Sequence, residues 1–163
     1  MKTNACRVLD QLGIPYRTQE YTVDLNDLAA PSVAAKIGMP VEQVYKTLLC
    51  RTSSGEYVFA VIAGDAELDL KKLALAAGQK KAELAPLKEL EPLTGYIRGG
   101  CTALAAKRDF AVYADEMMVL HETISVSAGV RGMQILLTPA DYLRSTDATV
   151  ADLVKTAPGS PQA

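Results

Sequence analysis

Apolar residues recur at helical spacing near the start of the chain, at Ala5, Val8, Leu9 and Leu12, and the run stops at Gly13. This predicts a short helix with Asn4 as its N-cap. Pro15 to Val23 then has the aromatic and β-branched content of a strand. Ser32 to Ile37 predicts a second helix closed by Gly38, and Pro40 suits the first turn of another. The clearest pattern follows: Val44 to Thr52 and Tyr57 to Ala63 are two apolar runs separated by Ser53-Ser54-Gly55, which predicts a hairpin.

Asp69 caps a predicted helix over Leu70 to Ala77, with Gly78 at its end. Ala85 to Leu90 reads as another turn or two of helix. Phe110–Tyr113, Ile124–Val126 and Met133–Leu137 read as strands, and Thr138 caps a last helix over Pro139 to Leu143. Short strands and helices intermingle without a regular βαβ alternation, and the tight turn implies antiparallel pairing, so the expected class is α+β. No internal repeat or linker divides the chain; residues 1–156 are expected to form one domain and residues 157–163 a disordered tail. No G-x-G-x-x-G opens a helix after a strand and no P-loop is present, which leaves a nucleotide cofactor without support.

The 163 residues, 49% hydrophobic and 22% charged, suit a packed domain rather than a disordered chain. No apolar run approaches the ~18 residues of a membrane span, and the charges at Arg7 and Asp10 interrupt any signal-peptide core. Cys6, Cys50 and Cys101 form no C-x-x-C pair, and His121 is the sole histidine, so neither metal nor cofactor is expected and the thiols read as free in a reducing cytoplasm. The net charge of −2 removes the simplest argument for nucleic-acid binding, so any such contact must be local or shared with a partner.

Three segments could carry chemistry. By the period of two, Lys46 shares a strand face with Val44 and Leu48, so it is either an edge lysine that deters aggregation or a cation held toward something anionic. Gly99-Gly100-Cys101-Thr102-Ala103 is either a tight turn or a loop whose N–H groups converge on an oxyanion or carboxylate. Ser127-Ala128-Gly129, continuing to Gly132, offers a hydroxyl between glycines, with a turn as the plainer alternative. No triad can be assembled around His121, which reads as structural, and Tyr21 alone reads as a core or edge aromatic.

Taken in order, Val44-Tyr45-Lys46-Thr47-Leu48-Leu49, Asp69-Leu70-Lys71-Lys72-Leu73, Gly95 to Thr102 and Val126 to Gly132 resemble the YbaK/EbsC family, relatives of the editing domain of bacterial prolyl-tRNA synthetases. The resemblance covers roughly residues 3 to 155. It implies a mixed, largely antiparallel barrel-like sheet flanked by helices, and a trans-acting aminoacyl-tRNA deacylase whose usual substrate is Cys-tRNA(Pro). The family alternatives are deacylation of Ala- or another small-residue tRNA, or a binding module without catalysis. It implies Lys46 as the catalytic residue, and Tyr21, Gly99 to Ala103 and Ser127 to Gly129 as substrate-binding. The implied partners are the 3′ end of aminoacyl-tRNA and a prolyl-tRNA synthetase, in the cytoplasm. The chain departs from the family pattern at Thr102-Ala103 (commonly Ser-Pro), Ala105 and Ala128 (commonly glycine) and Gln134 (commonly acidic). Attack on the ester is expected either from water or from the substrate's own thiol.

Overall fold

The computed structural model describes residues 2–156; the expected tail at 157–163 lies outside the described residues. Helix α1 (Asn4–Gln11) is capped one position earlier than the sequence suggests: the Thr3 hydroxyl, not Asn4, accepts the Cys6 N–H at 3.3 Å. Strand β1 is only Arg17–Glu20, so Tyr16 and Tyr21 flank it. Helix α2 (Ala30–Ile37) starts with Pro31 in its first turn and ends on the left-handed Gly38. After a 3₁₀ turn at Val41–Gln43 come β2 (Tyr45–Thr52) and β3 (Tyr57–Ala63), the predicted hairpin, with Lys46 opposite Ile62.

Helix α3 (Leu70–Ala76) is capped by Asp69, which accepts from the N–H of Lys71 and of Lys72. Strand β4 (Ala82–Leu84) has no counterpart in the sequence reading. Helix α4 runs over Leu87–Thr94, later than expected, because Pro86 serves as its N-cap. Strand β5 (Ala111–Asp115), a 3₁₀ turn at Glu116–Leu120, β6 (Ile124–Ser127), β7 (Met133–Leu137) and α5 (Pro139–Thr146) follow. A final strand, β8 (Thr149–Ala151), is again one the sequence did not signal.

The α+β class holds, and antiparallel pairing dominates. The strands form two sheets, β1-β7-β6 and β4-β2-β3-β5-β8, which are not closed into a barrel; a parallel bridge between Val44 and Ser125 links them. Two pairings are parallel, β3 with β5 and β5 with β8. The larger sheet is buried on both faces, which explains the almost unbroken apolar run in β3. Phe59, Val61 and Ala63 face the main core with Tyr45, Leu49, Ile124 and Ile135. Ala60, Ile62 and Cys50 face a second core with Leu73 of α3 and Leu153. Each large aliphatic or aromatic side chain so buried contributes about 1.5–3 kcal/mol.

The far edge is fastened by the last described residues. The N–H of the fully buried Leu153 donates to the Asp115 carboxylate at 2.9 Å, and Val154 forms a bridge with Leu68. At the opposite edge, β4 covers β2 only from Cys50 to Thr52, and the Ala85 N–H adds a bond to the Leu49 carbonyl at 2.9 Å. The first half of β2 is therefore an open edge, and the cleft forms there. No helix among the described residues is long and apolar enough to cross a membrane.

Candidate active site

The register of β2 decides which of its groups reach the cleft. The Gly64 N–H donates to the Val44 carbonyl at 2.7 Å and the Thr52 N–H to Glu56 at 2.8 Å, so even-numbered residues of β2 direct their main-chain groups at β3. The main-chain groups of Tyr45, Thr47 and Leu49 thus point the other way; the bridge to Ser125 occupies the start of that side and the Ala85 N–H takes the Leu49 carbonyl, which leaves the open edge around Thr47. Around that edge lies a cleft of about 600 Å³. One wall is the start of α2 with the residues before it, Leu28 to Val33; another is the Leu84–Leu90 segment; the third is Arg98, Gly99 and Cys101, backed by Ser127 and Gln134.

Lys46 lines this cleft, half-buried, and its ammonium donates to the Gly64 carbonyl at 3.2 Å. Desolvation pushes its pKa below that of an ordinary lysine, while the carboxylates of Asp65 and Glu67, neither of which lines the cleft, pull it back up. Gly64 makes the surrounding junction possible. A Cβ there would lie 2.7 Å from the Ala30 Cβ and 2.9 Å from the Val44 carbonyl oxygen, so only glycine lets α2 close onto the start of β2.

The two glycine-rich segments meet. A Cβ on Gly100 would come within 3.2 Å of the Val130 backbone, and one on Gly99 within 3.4 Å of the Arg131 Nε. Arg131 fixes this contact by donating from Nε to the Arg98 carbonyl at 2.8 Å. Gly99 adopts φ +87°, a conformation open to glycine at little cost. The Gly100 N–H is spent within the turn, on the Ile97 carbonyl at 2.9 Å; those of Gly99 and Cys101 have no acceptor among the described residues. Both residues line the cleft, and unspent N–H groups are what an oxyanion would need.

Of the expected site residues, Lys46, Gly99, Cys101 and Ser127 line the cleft, and Gly100, Thr102, Ala103, Ala128, Gly129 and Tyr21 do not. Thr102 is fully buried, and its hydroxyl accepts the Leu104 N–H at 3.4 Å, so it braces the loop from behind. Ala128 is fully buried, and Gly129 leaves room for Tyr96, whose ring would be 3.0 Å from a Cβ. The Ser127 hydroxyl accepts from the Gly129 N–H at 3.1 Å and so shapes that loop as well. Tyr21 packs beside α2 with Val33 and Ala34, with the Lys36 ammonium 5.9 Å from its ring centre. His121 stands edge-on to Tyr45 at 6.3 Å between ring centres, outside the cleft.

Thr47, Arg98 and the α2 and Leu84–Leu90 walls were not picked out from sequence. Gln134, in sequence only a departure from the family pattern, accepts through its side-chain carbonyl from the Ser125 hydroxyl at 2.7 Å, in the back wall. Burial pushes the Cys101 thiol up to about 12, so at neutral pH it is no ready nucleophile. Among the described residues, no group of three or more His, Cys, Asp or Glu side chains could hold a metal ion.

The chain is 44% identical over 152 residues to EbsC of Enterococcus faecalis, named as a candidate Cys-tRNA(Pro)/Cys-tRNA(Cys) deacylase, covering 93% of each. It is 28% identical over 124 residues to the Escherichia coli protein named multifunctional Ser/Thr-tRNA deacylase ProXp-y, covering 74% of each. The crystal structure of a candidate trans-editing enzyme for prolyl-tRNA synthetase superposes with a TM-score of 0.82 at 25% identity, covering 96% of this chain and 99% of that one. The model of the aminoacyl-tRNA editing domain matches residues 28–145, which span every wall of the cleft, and the chain belongs to that family.

Proposed function

We propose that the protein hydrolyses mischarged aminoacyl-tRNA in trans, with Cys-tRNA(Pro) as its main substrate and Lys46 as the catalytic residue. The observation that carries this reading is the composition of the cleft. It is lined by a partly desolvated lysine, by Gly99 and Cys101, whose N–H groups have no acceptor among the described residues, and by no carboxylate or histidine. Such a site stabilises negative charge on an ester oxygen but offers no general base of the usual kind.

That shortage favours a substrate that brings its own nucleophile. The thiolate of a cysteinyl ester attacks its own carbonyl carbon, the carbonyl oxygen takes the negative charge, and Lys46 with the Gly99 and Cys101 N–H groups holds it. Collapse breaks the bond to the ribose oxygen, which takes up a proton from solvent in place of the one the thiol gave up, and releases the tRNA and a cysteine thiolactone, which water then opens to cysteine. The names of relatives support a second reading, attack by water on seryl or threonyl esters, in which the same groups hold the oxyanion. The single-domain span of residues 1–156, a cytoplasmic setting and association with a prolyl-tRNA synthetase belong to the same proposal. The remaining fold expectation, a barrel-like closure around the site, is supported only by the Val44–Ser125 bridge between the sheets.

The test is loss of the ester from tRNA(Pro) charged with cysteine, serine or alanine. Fast loss of cysteine and slow loss of serine is expected; equal rates would exclude the thiol route, and no loss above the protein-free rate for any of them would overturn the enzymatic reading.

A further inference from the structure

The chain carries a net charge of −2, yet the residues lining the cleft include two cations, Lys46 and Arg98, and no Asp or Glu. Some basic side chains elsewhere are paired: Arg51 with Glu83 at 2.6 Å, Lys72 with Asp152 at 2.9 Å and Lys155 with Glu67 at 3.0 Å. The exposed Arg98 guanidinium makes no ion pair or hydrogen bond with the described residues, and being both exposed and a lining residue it stands at the opening of the cleft.

Its backbone is held with unusual care for an exposed residue. Arg131 Nε donates to the Arg98 carbonyl at 2.8 Å, the next residue is the left-handed Gly99, and Gly100 packs on the Val130–Arg131 backbone. The anion such a cation meets is fixed by the substrate's chemistry. An aminoacyl ester has no free carboxylate, and its amino group is a cation that arginine repels. What remains is the phosphodiester backbone, whose oxygens match the guanidinium fork. We propose that Arg98 binds a phosphate of the tRNA acceptor end at the cleft opening, with Arg131 as the positioning residue that fixes its loop. This rests on the aminoacyl-tRNA reading above, and it supplies the local contact that the acidic net charge demands.

The experiment measures binding of uncharged tRNA by fluorescence anisotropy over a salt series, so it does not depend on turnover. Arg98→Ala should weaken binding about fivefold or more and make the slope of log K against log salt shallower by about 0.7, one single-stranded phosphate contact. Arg98→Lys should recover part of the affinity, because the charge remains. Unchanged affinity and slope in Arg98→Ala would overturn the proposal. So would an equal loss of kcat/KM on aminoacyl-adenosine, which lacks the phosphate, since that would place Arg98 at the ester end. Failure of the deacylase reading has a different signature: wild-type protein that binds tRNA but removes no amino acid from either substrate.

Discussion

The Lys46 ammonium and the Gly64 carbonyl lie 3.2 Å apart, so a long, flexible side chain is tied to the point where β2, β3 and α2 meet. A cation fixed in this way loses less freedom when it binds an anion, and the position of the charge is set by the fold rather than by the ligand.

Removing that charge should be felt in chemistry and not in folding. Lys46→Ala is expected to lower kcat by about 10²–10³-fold, the range for losing one oxyanion donor. Its melting temperature should stay close to wild type, because a half-buried, desolvated cation adds little to stability. Retained deacylation in a folded Lys46→Ala protein would remove the residue from the mechanism.

The lowered pKa of Lys46 gives the reaction an alkaline limb. The ammonium is charged below its pKa, so activity that depends on it falls as pH rises through a value below that of an ordinary lysine. For stability the sign is opposite to that of a salt-bridged lysine. A folded pKa below the unfolded one opposes folding in full at low pH, and the penalty is relieved as pH rises above the folded pKa. A pH–rate profile, corrected for spontaneous ester loss, checks this; Lys46→Arg should shift the limb out of range, and an unmoved limb would assign it elsewhere.

Gly64→Ala should damage fold and site together. The new methyl group would meet the Ala30 Cβ and the Val44 carbonyl at 2.7 and 2.9 Å, so α2 must retreat. A loss of about 1–3 kcal/mol by urea unfolding is expected, as for other overpacked positions, with a rise in KM as the wall moves. Unchanged stability and KM would show that the junction is looser than its geometry.

Cys101 invites a nucleophile assignment that its environment opposes. With its thiol held up at about 12 by burial, it should react slowly with iodoacetamide at neutral pH. Cys101→Ser should keep activity within about threefold, since little thiolate is present to lose. A dead but folded variant would establish covalent catalysis.

Ala105 holds φ +57°, a left-handed conformation that costs a residue with a Cβ about 1–2 kcal/mol. Ala105→Gly removes that strain and gives back about 0.4–1 kcal/mol through a freer unfolded chain, so a small net gain is expected. A lower melting point would contradict it.

How much was legible follows from the kind of signal each element sends. The β2–β3 hairpin, the Asp69 cap and the helix stops at Gly13, Gly38 and Gly78 rest on local rules, and all are present. Strands β4 and β8 are three residues long, and partners distant in sequence make them strands, so local pattern could not mark them. The same distinction applies to the site. Lys46 is conspicuous because a charge interrupts an apolar strand, and the glycine loops are conspicuous by composition. The α2 wall depends on Gly64, where φ is ordinary and only the space available is special. Thr102 and Ala128 sit in the right motifs yet face the core, because a motif fixes which loop is used and not which side of it is wet.

The sheet that carries Lys46 begins with residues made early and is finished by residues made late. β8 and the Leu153 anchor emerge from a ribosome about a hundred residues after β2, a delay on the order of 5–20 s at ~5–20 residues per second. Through that interval the apolar face awaiting Leu153 has only α3 to cover it, and non-local pairing of this kind is slow to form. Nascent chains should therefore need shielding at the Ile62–Leu73 surface more than at the cleft, whose lining residues end at Gln134.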